Sequence, residues 1–254
     1  MIHPAISLPR LIAHRGFSAQ APENTLSAVR AAKEANCSWV ELDVQLLGDG
    51  TPVIWHDADV ARCSDGRGAL QDFNWASASK LDVGSWFGDS FNGERMVQLK
   101  TMLSLLDELD MGANLELKVN KGRDAIALVD RVIPMILDAL PAERLVVSSF
   151  DLNALKRTRE LAGPDRLALG SLFTSLPPDW AKRCQAVTAY SIHVHWPRLK
   201  RAQAQAMREA GYQVLCYTVN DPSAFEPHWA WGIKSAITDV PASFQRFLGD
   251  ETTQ

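Results

Sequence analysis

The chain has 254 residues, of which 46% are hydrophobic and 22% are charged, and its formal net charge is −4. These values are ordinary for a globular protein that can bury a full core, and they exclude a disordered chain outside the tails. The acidic balance, with no long basic block, excludes the electrostatic footprint of a nucleic-acid-binding protein.

Eight short apolar or β-branched runs are predicted to be strands. They begin near Leu11, Trp39, Asn114, Leu145, Leu167, Val187, Gln213 and Ser235. Amphipathic segments between them carry helix signals: Asn24 is predicted to cap a helix that runs to about Glu34, and Asp151 to cap one that ends near Gly163. Strands that alternate with helices predict an α/β fold, a TIM (β/α)8 barrel, as a single domain over residues 1–254.

The connection after the second predicted strand is unusually long. It contains a further strand-like run, Pro52 to His56, which the turn Gly48-Asp49-Gly50 folds back as an antiparallel hairpin. Facing residue numbers then sum to about 98 or 99, which places Asp43 opposite His56 or Trp55. Residues 58–111, rich in Gly, Asp, Trp and Phe, are predicted to be a small insertion that caps the barrel mouth.

Charged side chains inside these strand-like runs need a common explanation. Glu41 and Asp43 project to one face because strand side chains alternate, and Glu116 with Lys118 repeats the arrangement on the next barrel strand. Since strand ends converge at the barrel mouth, three carboxylates meeting there repel one another unless a cation lies between them. Their oxygen ligands favour one divalent cation, Mg²⁺ or Ca²⁺, over Zn²⁺.

Two histidines are predicted to reach the same mouth, His14 at the end of the first strand and His56 on the hairpin. Two histidines beside a metal suit general acid and base catalysis. Arg15 and Lys118 add the fixed positive charge that a phosphoryl group requires. The residues therefore predict metal-assisted cleavage of a phosphate ester.

These motifs resemble those of the glycerophosphodiester phosphodiesterases, of the cytoplasmic bacterial type, from about Leu11 to Phe247. The matching segments are His14-Arg15-Gly16, Pro22-Glu23-Asn24-Thr25, Glu41-Leu42-Asp43-Val44, His56-Asp57, Glu116-Leu117-Lys118 and Thr238-Asp239 with Pro241. The chain departs from the family at two places. Tyr217 replaces a frequent Trp, and VQLKTML, residues 97–103, replaces a more usual Ile-Pro-Thr-Leu-Glu-like segment at the end of the insertion.

The resemblance assigns roles to the same residues. It implies the metal ligands Glu41, Asp43 and Glu116, the acid and base His14 and His56, the phosphate-holding pair Arg15 and Lys118, and the supporting residues Glu23, Asn24 and Tyr217. The implied reaction is metal-dependent hydrolysis of a small glycerophosphodiester, such as glycerophosphocholine or glycerophosphoethanolamine, to glycerol 3-phosphate and an alcohol. The sequence leaves open which histidine is the acid, whether water attacks directly or through a cyclic phosphate, and whether the chain forms a homodimer.

Three other functions compete with this one. Lysophospholipase D or phospholipase D-like cleavage of lipid phosphodiesters on the same barrel predicts an exposed apolar rim at the mouth. A non-catalytic phosphate-ester binding protein predicts binding without turnover, and a metal barrel of isomerase or lyase type would not need the Arg15 and Lys118 clamp. An alternative role for Lys118 is a purely structural ion pair with Glu116. Separately, one of the two histidines His193 and His195 is predicted to face the barrel mouth.

The expected location is the cytoplasm, without stable membrane association. The four cysteines show no CxxC or zinc spacing and are interpreted as reduced thiols: Cys37, Cys63, Cys184 and Cys216. No signal-peptide pattern is present at the N-terminus, and no run approaches about 18 apolar residues.

Overall fold

The computed structural model describes residues 3–249, and its central feature is a closed barrel of eight parallel strands. The strands pair in the order β1-β10-β9-β8-β7-β6-β5-β2, and β2 returns to β1 to close the ring. The described strands are β1 (Leu11–His14), β2 (Trp39–Leu46), β3 (Pro52–Ile54), β4 (Val97–Gln98), β5 (Gly112–Leu117), β6 (Leu145–Ser149), β7 (Ala168–Phe173), β8 (Ser191–His195), β9 (Gln213–Tyr217) and β10 (Ser235–Thr238). The predicted TIM barrel is confirmed; residues 1, 2 and 250–254 of the predicted domain lie outside the described residues.

The described α-helices follow the barrel strands in alternation, apart from the short α2, which lies in the long connection after β3. They are α1 (Leu26–Glu34), α2 (Trp75–Ala78), α3 (Leu99–Glu108), α4 (Ala125–Ala139), α5 (Leu152–Leu161), α6 (Trp180–Ala186), α7 (Arg201–Glu209), α8 (Pro222–Trp229) and α9 (Pro241–Gly249). None of the helices within residues 3–249 is both long and apolar enough to cross a lipid bilayer.

Two local predictions from the sequence are wrong and one is confirmed. Thr25, not Asn24, caps α1, since its hydroxyl accepts a hydrogen bond from the Ala28 amide at 3.1 Å. The strand predicted near Val187 begins instead at Ser191, because Val187 is the buried residue that ends α6. Asp151 caps α5 as predicted, accepting from the Ala154 amide at 2.8 Å.

The predicted hairpin after β2 is confirmed. β2 and β3 pair antiparallel with Val44 opposite Ile54, so facing residue numbers sum to 98. This register continues to Asp43, whose carbonyl oxygen accepts a hydrogen bond from the Trp55 amide at 3.0 Å. The next residue, His56, is thereby delivered beside the carboxyl end of β2.

The long connection carries an apolar cluster of its own. This cluster comprises Leu47, Val53, Trp55, Val60, Cys63, Leu70, Ala78, Leu81, Val83 and Met96. Helix α3, by contrast, packs its buried face, including Leu99 and Leu106, into the main core between strands and helices. Since α3 is the barrel helix between β2 and β5, we propose an insertion narrower than the predicted 58–111, ending at Gln98.

The barrel strands separate apolar and charged side chains by simple alternation. Val40 and Leu42 point outward into the main core, while Glu41 and Asp43 point inward. One layer deeper inside the barrel lies a small apolar cluster: Leu8, Ile12, Trp39, Val146, Ala168, Leu215 and Ile237. The charged residues therefore sit on an apolar floor at the mouth.

Gly112 makes room for the largest side chain of that floor. It pairs with Trp39 across β2 and β5, and a Cβ atom at Gly112 would overlap the Trp39 indole ring. We expect Gly112→Ala to lower the free energy of unfolding by about 1–3 kcal/mol through overpacking, measured by urea unfolding. Gly88→Ala is the matched control, since no atom of residues 3–249 lies within 4 Å of a Cβ there; equal stabilities of the two variants would contradict this account.

Candidate active site

Three buried carboxylates from two neighbouring strands form the centre of the site. Glu41, Asp43 and Glu116 are 4%, 1% and 8% exposed, and each offers an oxygen atom within 4.8 Å of the others. The parallel register of β2 and β5 places Asp43 directly beside Glu116, while alternation places Glu41 one layer below Asp43 on the same face. The sequence-predicted triad is thus brought together.

The electrostatics of this triad fit a bound cation. Burial, followed by the charges of Asp43 and Glu116, raises the pKa of Glu41 well above its usual range. Burial is also the main cause that raises the pKa of Glu116 to about 7. Burial disfavours the charged form of Asp43 too, but Lys118 and Arg15 outweigh it and hold its pKa well below normal. Three buried carboxylates whose negative charges repel one another suit one hard divalent cation.

Two cationic side chains lie against the triad. Lys118 Nζ is 3.2 Å from Asp43 Oδ1 and 3.0 Å from Glu116 Oε1. Arg15 Nε is 3.4 Å from Asp43 Oδ2, and the Arg15 amide donates to Glu41 Oε2 at 3.2 Å. Lys118 therefore contacts two carboxylates rather than Glu116 alone, and both cations border the position that the carboxylates surround.

A sharp turn after β1 places Arg15. Arg15 has a positive φ of 55°, and Gly16 follows with a φ of 79°. A Cβ atom at Gly16 would approach the Ala28 backbone to 2.6 Å, so only glycine lets the turn pack against α1. Left-handed backbone at a non-glycine residue is strained, and such strain commonly marks functional sites.

Asn24 and Glu23 bond to the residues at this edge of the site. Asn24, itself at a φ of 60°, donates from Nδ2 to Asp43 Oδ2 at 2.9 Å and accepts from the Asp43 amide at 3.2 Å. Glu23 Oε1 accepts from Arg15 Nη1 at 2.7 Å. The side chain of Asn24 is occupied by Asp43, which explains why the α1 cap falls to Thr25.

His14 is oriented by a carboxylate that directly follows the last barrel strand. Its Nδ1 lies 2.6 Å from Asp239 Oδ1, and its Nε2 faces Glu41 Oε2 at 3.7 Å. Asp239 also accepts from Ser18 Oγ at 2.9 Å and from Asn220 Nδ2 at 2.6 Å. Burial disfavours its ionisation, but the hydrogen bond and charge of His14 outweigh it, so the pKa of Asp239 falls to about 2. An ionised Asp239 holds the Nδ1–H tautomer and leaves Nε2 to exchange a proton.

His56 has a parallel arrangement. Its Nδ1 lies 2.7 Å from Asp57 Oδ1. Gln45 Nε2 fixes the loop backbone by donating to the carbonyl oxygens of Trp55, His56 and Asp57 at 2.9, 3.0 and 2.9 Å. Burial lowers the pKa of His56, which favours the neutral imidazole at pH 7. The site thus holds two histidine–aspartate pairs.

Tyr217 lies on an aromatic wall formed by the other half of the mouth. Its hydroxyl donates to the Phe173 carbonyl oxygen at 3.1 Å, and its ring meets those of Phe150 and His195 with centroids 6.0 Å apart in both pairs. His193 is fully buried, with Nε2 2.9 Å from Ser191 Oγ, and burial lowers its pKa to about 3. Of the two histidines on β8, His195 therefore belongs to the site wall and His193 to the core.

Four further side chains of the site have no role assigned from the sequence. Asp57 and Asp239 occur in the matching motifs, and their contacts show that they orient the two histidines. Asn220 holds Asp239, and Arg62 bonds to both Glu23 and Asp57. Adjacency to His56 could have flagged Asp57, whereas Arg62 and Asn220 carry no local signal.

Comparison with known proteins agrees with this geometry. The model of the glycerophosphoryl diester phosphodiesterase family matches residues 14–243. A glycerophosphodiester phosphodiesterase of Caldanaerobacter subterraneus subsp. tengcongensis is 31% identical over 91% of this chain and 94% of that protein. A phosphodiesterase of Oleispira antarctica, solved with its product sn-glycerol-3-phosphate, is 33% identical with a TM-score of 0.90 and covers 95% of this chain and 97% of its own.

A solved glycerophosphodiester phosphodiesterase of Thermotoga maritima, 25% identical, superposes with a TM-score of 0.75 over 95% of this chain and 99% of that one. The match of the family model spans nearly the whole barrel, from His14 in β1 to the start of α9. The chain belongs to the glycerophosphoryl diester phosphodiesterase family.

Proposed function

We propose that this chain hydrolyses glycerophosphodiesters to sn-glycerol 3-phosphate and an alcohol, with one divalent cation as cofactor. The observation that carries the proposal is the buried triad of Glu41, Asp43 and Glu116 flanked by two histidine–aspartate pairs. Support comes from the family membership and from the Oleispira antarctica relative, whose structure holds sn-glycerol-3-phosphate.

Each group of site residues has its own role in the proposed reaction. The triad would hold Mg²⁺ or Ca²⁺, and the bound ion would supply Lewis-acid polarisation of a phosphate oxygen. Arg15 and Lys118 neutralise the charge that develops on the phosphoryl group. His14 and His56 each present Nε2 for proton transfer, so one takes the proton of the attacking hydroxyl and the other protonates the leaving oxygen.

The aromatic wall supports glycerophosphocholine and glycerophosphoethanolamine as substrates. The rings of Phe150, Tyr217 and His195 face the same mouth as the triad, and a quaternary or primary ammonium group is attracted to aromatic faces. A second candidate is lysophospholipase D-type cleavage. It is favoured by Phe150 and Ile126, which are 47% and 42% exposed and follow the carboxyl ends of β6 and β5.

The test is release of sn-glycerol 3-phosphate by purified protein with EDTA and then with Mg²⁺ or Ca²⁺ added back. Glycerophosphocholine, glycerophosphoethanolamine and lysophosphatidylcholine are compared by kcat/KM. We expect metal-dependent turnover that is highest on the two small diesters; higher kcat/KM on the lipid would favour the second candidate. No metal-dependent product would refute the proposed hydrolysis and leave phosphate-ester binding without catalysis. ³¹P NMR early in the reaction distinguishes direct water attack from a cyclic phosphate.

We also propose a cytoplasmic location for the protein. Its four cysteines are buried and unpaired, as expected in a reducing compartment.

A further inference from the structure

Arg62, in the insertion, uses its guanidinium group to join two carboxylates of the site. Nη1 and Nη2 donate to Glu23 Oε2 and Oε1, both at 2.7 Å, and Nε donates to Asp57 Oδ2 at 2.6 Å. We propose that Arg62 is a positioning residue for the reaction, which fixes His56 through Asp57 and Arg15 through Glu23. This inference rests on the proposed function.

Each of the two carboxylates holds a second, functional partner. Asp57 gives Oδ2 to Arg62 and Oδ1 to His56 Nδ1 at 2.7 Å. Glu23 gives Oε1 both to Arg62 and to Arg15 Nη1 at 2.7 Å. A carboxylate engaged through both oxygens has its plane fixed, and so the imidazole and the guanidinium it bonds are fixed as well.

The bonds to Arg62 also keep both carboxylates ionised. Burial disfavours the charged form of Glu23, but the hydrogen bond and charge of Arg62, together with Arg15, hold its pKa below normal. Asp57 behaves in the same way, with Arg62 and His56 opposing the effect of burial on its pKa. An ionised Asp57 accepts the Nδ1–H of His56 and thereby leaves Nε2 free.

The exposure of the Arg62 side chain indicates that it contributes to positioning rather than to folding stability. Its side chain is 46% exposed, and surface ion pairs of this kind add little to stability. Its backbone is placed by buried neighbours, Val60 and Cys63, which belong to the apolar cluster of the insertion. Loss of the guanidinium should therefore reduce turnover far more than it reduces folding stability.

The test compares Arg62→Ala, Arg62→Lys and the control Arg67→Ala. Arg67 is exposed in the same insertion, and among the described residues its side chain donates to the neighbouring Gly66 carbonyl oxygen alone. We expect Arg62→Ala to lower kcat by about 10- to 100-fold, as loss of an outer hydrogen-bond partner does. Free guanidinium ion should restore part of that loss, Arg62→Lys should remain impaired because an ammonium lacks the fork geometry, and Arg67→Ala should match the wild type.

Two kinetic outcomes would overturn the inference. One is wild-type kcat in Arg62→Ala; the other is a loss of kcat in proportion to a fall in melting temperature, with no rescue by guanidinium. The ¹⁵N shifts of the His56 ring give a readout that does not need turnover: Arg62→Ala should perturb them and leave those of His14 in place. A wild-type protein without product would refute the proposed function, whereas an unperturbed His56 ring would refute the role of Arg62.

Discussion

Replacement of either His14 or His56 by alanine is expected to lower kcat for glycerophosphodiesters by about 10²- to 10⁴-fold, the range typical of general acid or base loss. Each ring is held through Nδ1 by an aspartate, Asp239 or Asp57, so that Nε2 is the atom available for proton transfer. The measurement is steady-state release of glycerol 3-phosphate with saturating Mg²⁺ or Ca²⁺. Near-normal turnover in both variants would refute the acid–base mechanism.

A substrate with a better leaving group shows which of His14 and His56 is the acid and which is the base. A p-nitrophenyl phosphodiester of glycerol expels a phenolate that needs no proton, so the variant lacking the acid should recover most of its rate on it, while the variant lacking the base should not. His3→Ala is the matched control, because His3 packs against Tyr190, at the amino end of β8 and far from the mouth. Equal behaviour of both variants on both substrates would contradict a division of roles.

The second large effect is expected for Glu41→Gln. Removal of a residue that only bonds to a metal ligand lowers activity by about 10- to 100-fold. We expect a larger loss of activity for Glu41→Gln, because Glu41 is itself placed to be a metal ligand. Glutamine keeps the shape of the side chain and removes its negative charge. The measurements are kcat and the metal concentration that gives half-maximal activity.

The same substitution should stabilise the metal-free protein. Burial is the main cause of the raised pKa of Glu41, and repulsion by the charges of Asp43 and Glu116 raises it further. Each 1 kcal/mol of repulsion removed should raise the melting temperature in EDTA by about 2–4 °C. Glu209→Gln, at the exposed end of α7, should change neither activity nor stability. A lower melting temperature for Glu41→Gln in EDTA would contradict this view of the triad.

The barrel was predictable because its strands are short apolar runs separated by clear turn signals. The hairpin register followed from one Asp-Gly turn, since a turn centre fixes which residues face each other. The error at Val187 has a physical cause: apolar residues that end a helix and residues that begin a buried strand share the same composition. Asn24 misled the prediction of the α1 cap because its side chain bonds to Asp43 on the neighbouring strand β2, a contact that no local sequence pattern predicts.

The site residues that are close in sequence were also predictable, whereas those that meet only in the folded chain were not. Glu41 with Asp43, and Glu116 with Lys118, are close in sequence and share a strand face, so alternation alone grouped them. Arg62 reaches Glu23 across 39 residues of sequence, and Asn220 and Asp239 come together only when β9 and β10 pair. Such contacts depend on the path of loops, which a single sequence does not specify.

The bond between His14 and Asp239 spans 225 positions of sequence and joins the first barrel strand to the last. The carboxylate triad comes from β2 and β5 and is present on the polypeptide well before β10 leaves the ribosome. In a nascent chain, Asp239 can therefore orient His14 only once β10 has been made and the ring has closed. Since the proposed proton transfer uses His14, it requires the complete, closed ring.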